Sequence, residues 1–181
     1  MTVPKKKILA LTGSTRRDSS NSKLLEFISG QLPDTFETAF FEDLDQLPHF
    51  NPDLDTAEPP RAVAAFRAKI ADADGILICT PEYVFSLPGS LKNALEWCVS
   101  TTLFSRKKVG LITASASGEK GHEQLLLVMK TLEAQFESAT ELLIQGVRGK
   151  INAEGSITDA VTLQQIQDFT VAFQEQMENN N

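Results

Sequence analysis

Gly75-Ile76-Leu77-Ile78-Cys79 is the stretch that decides the architecture. It is apolar at every position rather than at alternate ones, carries β-branched residues at 76 and 78, and is followed closely by Pro81. A strand covered on both faces at the centre of a parallel sheet reads this way. Working outward, residues 7–11 and 35–41 before it, and 109–113 and 141–144 after it, read as four further strands. Helical patterns fall between and beyond them at 21–31, 61–73, 90–99, 123–136 and 162–177, with residues 178–181 expected to fray. Strand and helix alternate along the whole chain, which predicts successive βαβ units. The expected fold is an α/β three-layer sandwich around a five-stranded parallel sheet of order 2-1-3-4-5.

The segment 42–60 carries Pro48, Pro52, Pro59 and Pro60 among acidic residues, so it is read as a long surface connection rather than a linker between domains. With no internal repeat or low-complexity block, residues 1–181 are expected to form one domain. A formal net charge of -7 argues against nucleic acid or an anionic membrane as partner, since both need a concentrated positive field. Lys5-Lys6-Lys7 directly precedes the first strand and is read as its solvated start. No window approaches the roughly 18 apolar residues of a membrane span, and the opening Met-Thr-Val-Pro-Lys has no long apolar region behind it. The expectation is a cytoplasmic, unprocessed protein. Cys79 and Cys98 lack CxxC spacing and are expected to be buried and reduced, while His49 and His122 lack the spacing of a metal site. No metal is expected.

In a doubly wound sheet, ligands bind beyond the carboxyl ends of the strands, at the switch point between the first and third. Chemistry is therefore expected after Leu11, after Cys79 and after Thr113. The first loop reads Gly13-Ser14-Thr15-Arg16-Arg17-Asp18-Ser19-Ser20-Asn21. It opens a helix, where backbone N–H groups and the helix dipole converge on a point suited to an anion. Ser14, Thr15, Ser19 and Asn21 add short donors, and Arg16 or Arg17 adds a fork-shaped cation for phosphate oxygens. Ser19, Ser20 or Asn21 also serves as a helix cap. Neither GxGxxG nor the Gly-Lys-Ser/Thr ending of an NTPase loop is present, which weighs against a dinucleotide site and against ATP or GTP hydrolysis. In the second loop Pro81 stops the strand and Pro88-Gly89 turns the chain, so residues 82–87 form a shaped rim on which a planar heterocycle could rest. The third, Ala114-Ser115-Ala116-Ser117-Gly118-Glu119-Lys120-Gly121, has small residues that let backbone donors approach a ligand closely.

Together, GSTRRDSSN (13–21) and PEYVFSLPGSLKNALEW (81–97) resemble the NADPH-dependent FMN reductase family, which includes quinone, azo-dye and chromate reductases and resembles flavodoxin in fold. The resemblance covers nearly the whole chain. It implies FMN as cofactor and NADPH or NADH as co-substrate. It implies a small electron acceptor, with the flavin N5 carrying the hydride and no catalytic side chain. Ser14, Arg16, Ser19, Ser20 and Asn21 would hold the FMN phosphate, and Pro81, Glu82, Tyr83 and Val84 would line the isoalloxazine. Ser115, Ser117 and Gly118 would cover its other edge. Val84 departs from the family, which usually has Asn there in a PEYN sequence. A non-enzymatic FMN electron carrier, or a module that binds a flavin or another phosphate ligand, would use the same cup and rim.

Two helices carry more apolar surface than one sheet face requires. In 124–136 a stripe of Leu125, Val128 or Met129, Leu132 and Phe136 leaves Leu126 and Leu127 over, and in 90–99 Trp97 is left outside. Such surplus suits either core under a loop or a two-fold interface. The family resemblance implies a homodimer, with a homotetramer as the alternative, and places Leu126, Leu127 and Trp97 in the subunit contact.

Overall fold

The computed structural model describes residues 4–16 and 18–179. Five strands form one sheet: β1 (Lys6–Thr12), β2 (Phe36–Phe41), β3 (Gly75–Thr80), β4 (Lys108–Ser115) and β5 (Glu141–Gln145). All pairings are parallel and the order is β2-β1-β3-β4-β5, as expected. β3 is buried at every position. Its odd and even residues therefore serve opposite cores, which is why the sequence lacks alternation there.

The helices are α1 (Ser20–Gln31), α2 (Arg61–Asp72), α3 (Gly89–Glu96), α4 (Glu119–Thr131) and α5 (Ala160–Glu178). On one face Leu9, Leu11, Ile76, Ile78, Val109 and Leu111 meet Phe66 and Ile70 of α2, Leu91 of α3, and Leu125 and Met129 of α4. On the other, Ile8, Ala10, Leu77, Cys79, Ile112 and Ala114 meet Leu24, Leu25 and Ile28 of α1 and Ile166, Phe169 and Phe173 of α5.

Two details differ from the sequence reading, and a third refines it. α4 runs 119–131 rather than 123–136. It starts early because Gly118 adopts a left-handed conformation (φ 90°) that the residues after it convert into a first turn. It ends early because Glu133 turns left-handed (φ 60°), and Gln135 then bridges to Lys108 at the start of β4. The second correction concerns Trp97, which is fully buried within the subunit rather than presented to a partner. The connection 42–60 folds over it: Trp97 Nε1 donates to Pro48 O at 2.8 Å, and Asn93 of α3 accepts from Phe50 N at 2.7 Å and donates to Pro48 O. Phe50 packs edge-on against the indole, 5.1 Å between centroids. The surplus apolar area of α3 is thus core under a loop. Leu126 likewise packs, half-buried, against this core, and Leu127 is exposed.

The third detail is the lysine run. Lys6 Nζ donates to Met177 O at 2.6 Å, and Lys108 Nζ to Met177 O and Asn179 O, so both complement the carboxyl end of α5. Lys7 pairs with Asp72 at 2.9 Å. The cations at the amino ends of the strands answer helix carboxyl ends and an aspartate, not an external anion.

Candidate functional site

The carboxyl ends of β1, β3, β4 and β5 converge on a cleft of about 390 Å³. Among the residues lining it are Ser14, Arg16, Ser19, Ser20 and Asn21 from the first loop, Pro81, Glu82 and Tyr83 from the second, and Ser115 from the third. Nine of the twelve expected site residues are therefore brought together. Ser117 and Gly118 do not line the cleft, and neither does Val84, which is 95% exposed. Arg17, the alternative phosphate fork, lies outside the described residues.

The first loop can reach the cleft because Gly13 bends β1 against β3. Gly13 N donates to Cys79 O at 2.8 Å, and a Cβ at Gly13 would stand 2.1 Å from Thr80 Oγ1. No other residue fits this approach. Ser14 Oγ accepts the Arg16 N–H at 3.3 Å, which shapes the loop. Ser19 caps α1, its Oγ accepting Ser22 N–H at 3.0 Å. The Ser20 and Asn21 N–H groups, the first two of the helix, have no carbonyl of their own helix to bond. They stand beside two hydroxyls that are almost wholly buried, Ser14 and Ser19.

Asn21 has a structural task as well. Its amide nitrogen donates to Ala114 O at 3.3 Å and its oxygen accepts from Cys79 Sγ at 3.2 Å, so it ties the start of α1 to β3 and β4 beneath the cleft. Burial raises the Cys79 thiol far above its ordinary value and keeps it protonated, as a donor to Asn21 must be.

The second loop is built around Glu82. Its carboxylate accepts Gly121 N–H at 2.7 Å and Gly118 N–H at 3.3 Å, a charged cap on the amino end of α4. Ser115 Oγ donates to Glu82 O at 3.5 Å. The side chain is thereby turned into the scaffold, and the carboxylate is no obstacle to an anion in the cleft. Beneath the third loop His122 Nδ1 faces Thr113 Oγ1 at 3.0 Å, and burial lowers the imidazole below its usual value.

Beyond Glu82, Tyr83 N–H donates to Ser86 O and Ser86 N–H to Tyr83 O, both at 3.0 Å. Val84 (φ 52°) and Phe85 (φ 56°) between them are both left-handed. This is a two-residue turn of type I′, a geometry normally filled by Asn-Gly or Asp-Gly. A β-branched residue in that region is an outlier, and such positions cost about 1–3 kcal/mol each.

The sequence reading missed Gly146, Val147 and Arg148, which follow β5 and also line the cleft. An arginine just past the carboxyl end of a fifth strand was the available signal. Arg16 also borders a second cleft of about 390 Å³ lined by Glu42, Asp43 and Asp45. Electrostatics separates the two: an anion is repelled by three carboxylates on that side and attracted by a second guanidinium, Arg148, on the other. The residues present thus fit a phosphate-bearing planar group: two guanidinium groups, two buried hydroxyls and the first amides of α1 line a cleft shared with Pro81, Tyr83, Ala114 and Val147. Among the described residues no group of His, Cys, Asp and Glu is arranged to hold a metal, and no helix is long and apolar enough to cross a membrane.

This architecture defines a flavodoxin-like α/β protein whose switch-point cleft has residues that fit a phosphorylated planar cofactor. Residues 6–149 match the profile of the family described as NADPH-dependent FMN reductase, and the chain belongs to that family. It is 36% identical over 169 residues to a 2-hydroxy-1,4-benzoquinone reductase of a Burkholderia species, covering 90% of this chain and 91% of that one. It is 30% identical to an NAD(P)H-dependent FMN reductase of Pseudomonas aeruginosa, covering 93% of each. Among solved structures it superposes on the flavoenzyme NAD(P)H:(acceptor) oxidoreductase FerB of Paracoccus denitrificans with a TM-score of 0.81 and 28% identity, covering 96% of this chain and 97% of that one.

Proposed function

We propose that residues 1–181 act as one FMN-binding domain whose switch-point cleft holds the cofactor of an NAD(P)H-dependent oxidoreductase with a small acceptor, a quinone first among the candidates. The observation that carries this reading is that Arg16, Arg148, Ser14, Ser19 and the first residues of α1 line one cleft together with Pro81, Tyr83 and Val147. Bound FMN would supply the redox chemistry, accepting hydride from NADPH or NADH and returning reducing equivalents to the acceptor.

The chain's own residues bind, orient and exclude. Arg16 and Arg148 neutralise the phosphate, and Ser14 and Ser19 with the Ser20 and Asn21 N–H groups fill its remaining acceptor sites. Pro81, Glu82 and Tyr83 border the ring, largely through backbone, because the Glu82 side chain is committed to α4. Ser115 and the small residues around it leave room on the opposite edge. The quinone reductase relative from Burkholderia supports the choice of acceptor class. Val99, exposed just after α3, borders an apolar groove that also contains Leu95 of α3 and Val128 of α4, and Leu127 is exposed on α4; a second copy of the chain covering these helices would give the homodimer. The site of action is the cytoplasm.

The reading is tested by adding FMN and then NADPH under anaerobic conditions. Flavin absorbance retained through gel filtration and bleached by NADPH supports it. Retained flavin that NADPH leaves oxidised, but a reduced protein partner bleaches, would identify an electron carrier instead.

A further inference from the structure

The turn Tyr83–Ser86 stands apart from the rest of the site. Tyr83 lines the cleft, yet the next two side chains are the most exposed large apolar groups beside it: Val84 at 95% and Phe85 at 71%. Both sit in the left-handed region, so the backbone is strained at two successive residues, and no burial of either side chain repays the strain. The turn is nevertheless held firmly. Gln124 of α4 accepts from Ser86 Oγ at 2.6 Å and donates to Phe85 O at 3.3 Å. On its other side Glu82 is fixed by the Gly118 and Gly121 amides. A rigid, strained, solvent-facing pair of apolar residues next to a cleft-lining tyrosine is a costly feature with no return within the chain's own fold.

We infer that Val84 and Phe85 form a lip that selects the electron acceptor, favouring uncharged aromatic or quinonoid rings over charged ones. The inference rests on the function proposed above and extends it from the cofactor to the second substrate. The chemistry follows from what the lip offers. A phenyl face and a branched aliphatic group stack on or pack against a planar ring and give nothing to a hydrated ion. The two cations that line the cleft, Arg16 and Arg148, are engaged by the phosphate in that reading. The chain's net charge of -7 further disfavours small anionic acceptors. Because the turn is already fixed before any ligand arrives, an acceptor does not have to order it.

The test uses FMN-loaded protein and three forms of it: parent, Phe85→Ala and Val84→Asn. The redox-inert ring 2-naphthol is titrated into the oxidised protein by calorimetry, and kcat/KM is measured for 1,4-benzoquinone and for ferricyanide. Phe85→Ala is expected to raise the 2-naphthol Kd about five- to tenfold and to lower the benzoquinone-to-ferricyanide ratio of kcat/KM by a similar factor. Val84→Asn places a residue at home in the left-handed region, so it is expected to raise Tm while lowering the same ratio. A Phe85→Ala protein that binds 2-naphthol as tightly as the parent, or whose rates with both acceptors fall in parallel, overturns this inference alone. A parent that takes up no FMN overturns the proposed function and this inference with it.

Discussion

Glu82 and Gly121 are joined at 2.7 Å, carboxylate to backbone N–H, and through that contact the rim of the cleft and the first turn of α4 become one unit. The loop that borders the cleft is therefore positioned by the amino end of α4. Glu82→Ala removes a charged cap and frees the loop together, and is expected to cost about 0.5–2 kcal/mol in urea unfolding. Glu82→Gln keeps an acceptor oxygen and should lose less. An Ala variant with the parent's midpoint would show that the cap contributes nothing.

Arg16, after β1, and Arg148, after β5, line the same cleft. Charge-assisted hydrogen bonds contribute about 1.5–3 kcal/mol each, so Arg16→Ala should weaken FMN binding by roughly one to two powers of ten. Arg148→Ala should act in the same direction. Riboflavin binding should barely change in either, since it lacks the phosphate. Titrations in which both ligands weaken equally would point to a disordered loop rather than to a lost phosphate contact.

Asp55 and Arg67 form an ion pair of 2.7 Å with both side chains largely covered, and Arg67 Nε also donates to Trp97 O at 2.8 Å. The Arg67 guanidinium holds the Asp55 carboxyl below its ordinary value of 3.8. Because the folded-state value is depressed, the stabilisation is complete above the unfolded-state value and is lost as pH falls through the folded one. Thermal midpoints measured from pH 5 to pH 2.5 should fall more steeply for the parent than for Asp55→Asn. Parallel curves would contradict the assignment. At pH 7 the same variant keeps an acceptor oxygen for Arg67 but loses the charge, and is expected to lower the midpoint.

Gly110 sits in β4 where a Cβ would lie 2.7 Å from Leu77 Cδ2 and 2.8 Å from Phe169 Cζ. Gly110→Ala forces the α5 aromatics outward, an overpacking that costs about 1–3 kcal/mol. A circular dichroism melt several degrees below the parent's is expected, and an unchanged melt would show that α5 shifts freely.

Strand order and the place of the site were legible because both follow from local pattern. The unbroken apolar run 75–79 could only be central, and the two loops after β1 and β3 carry their turn chemistry in Gly13, Pro81 and Pro88. What was not legible depends on contacts distant in sequence. The start of α4 is set by Glu82, 37 positions before Glu119 in the chain numbering. Trp97 reads as surplus until the connection 42–60 folds over it through Pro48, 49 residues away. Arg148 was missed because it lies in a 3-10 turn (Val147–Gly149) inside the long connection 146–159, whose place beside the first loop depends on contacts distant in sequence. The strain at Val84 and Phe85 could be suspected from the missing Asn but needed the backbone to be seen.

The central claim is that the switch-point cleft binds FMN and passes electrons from a reduced nicotinamide. The most direct measurement is the visible spectrum of the protein after incubation with FMN and gel filtration, followed by anaerobic addition of NADPH or NADH. The account predicts that flavin bands co-elute with the protein, bleach with either nicotinamide, and return when 1,4-benzoquinone is added. A protein that emerges colourless after incubation with excess FMN would contradict it.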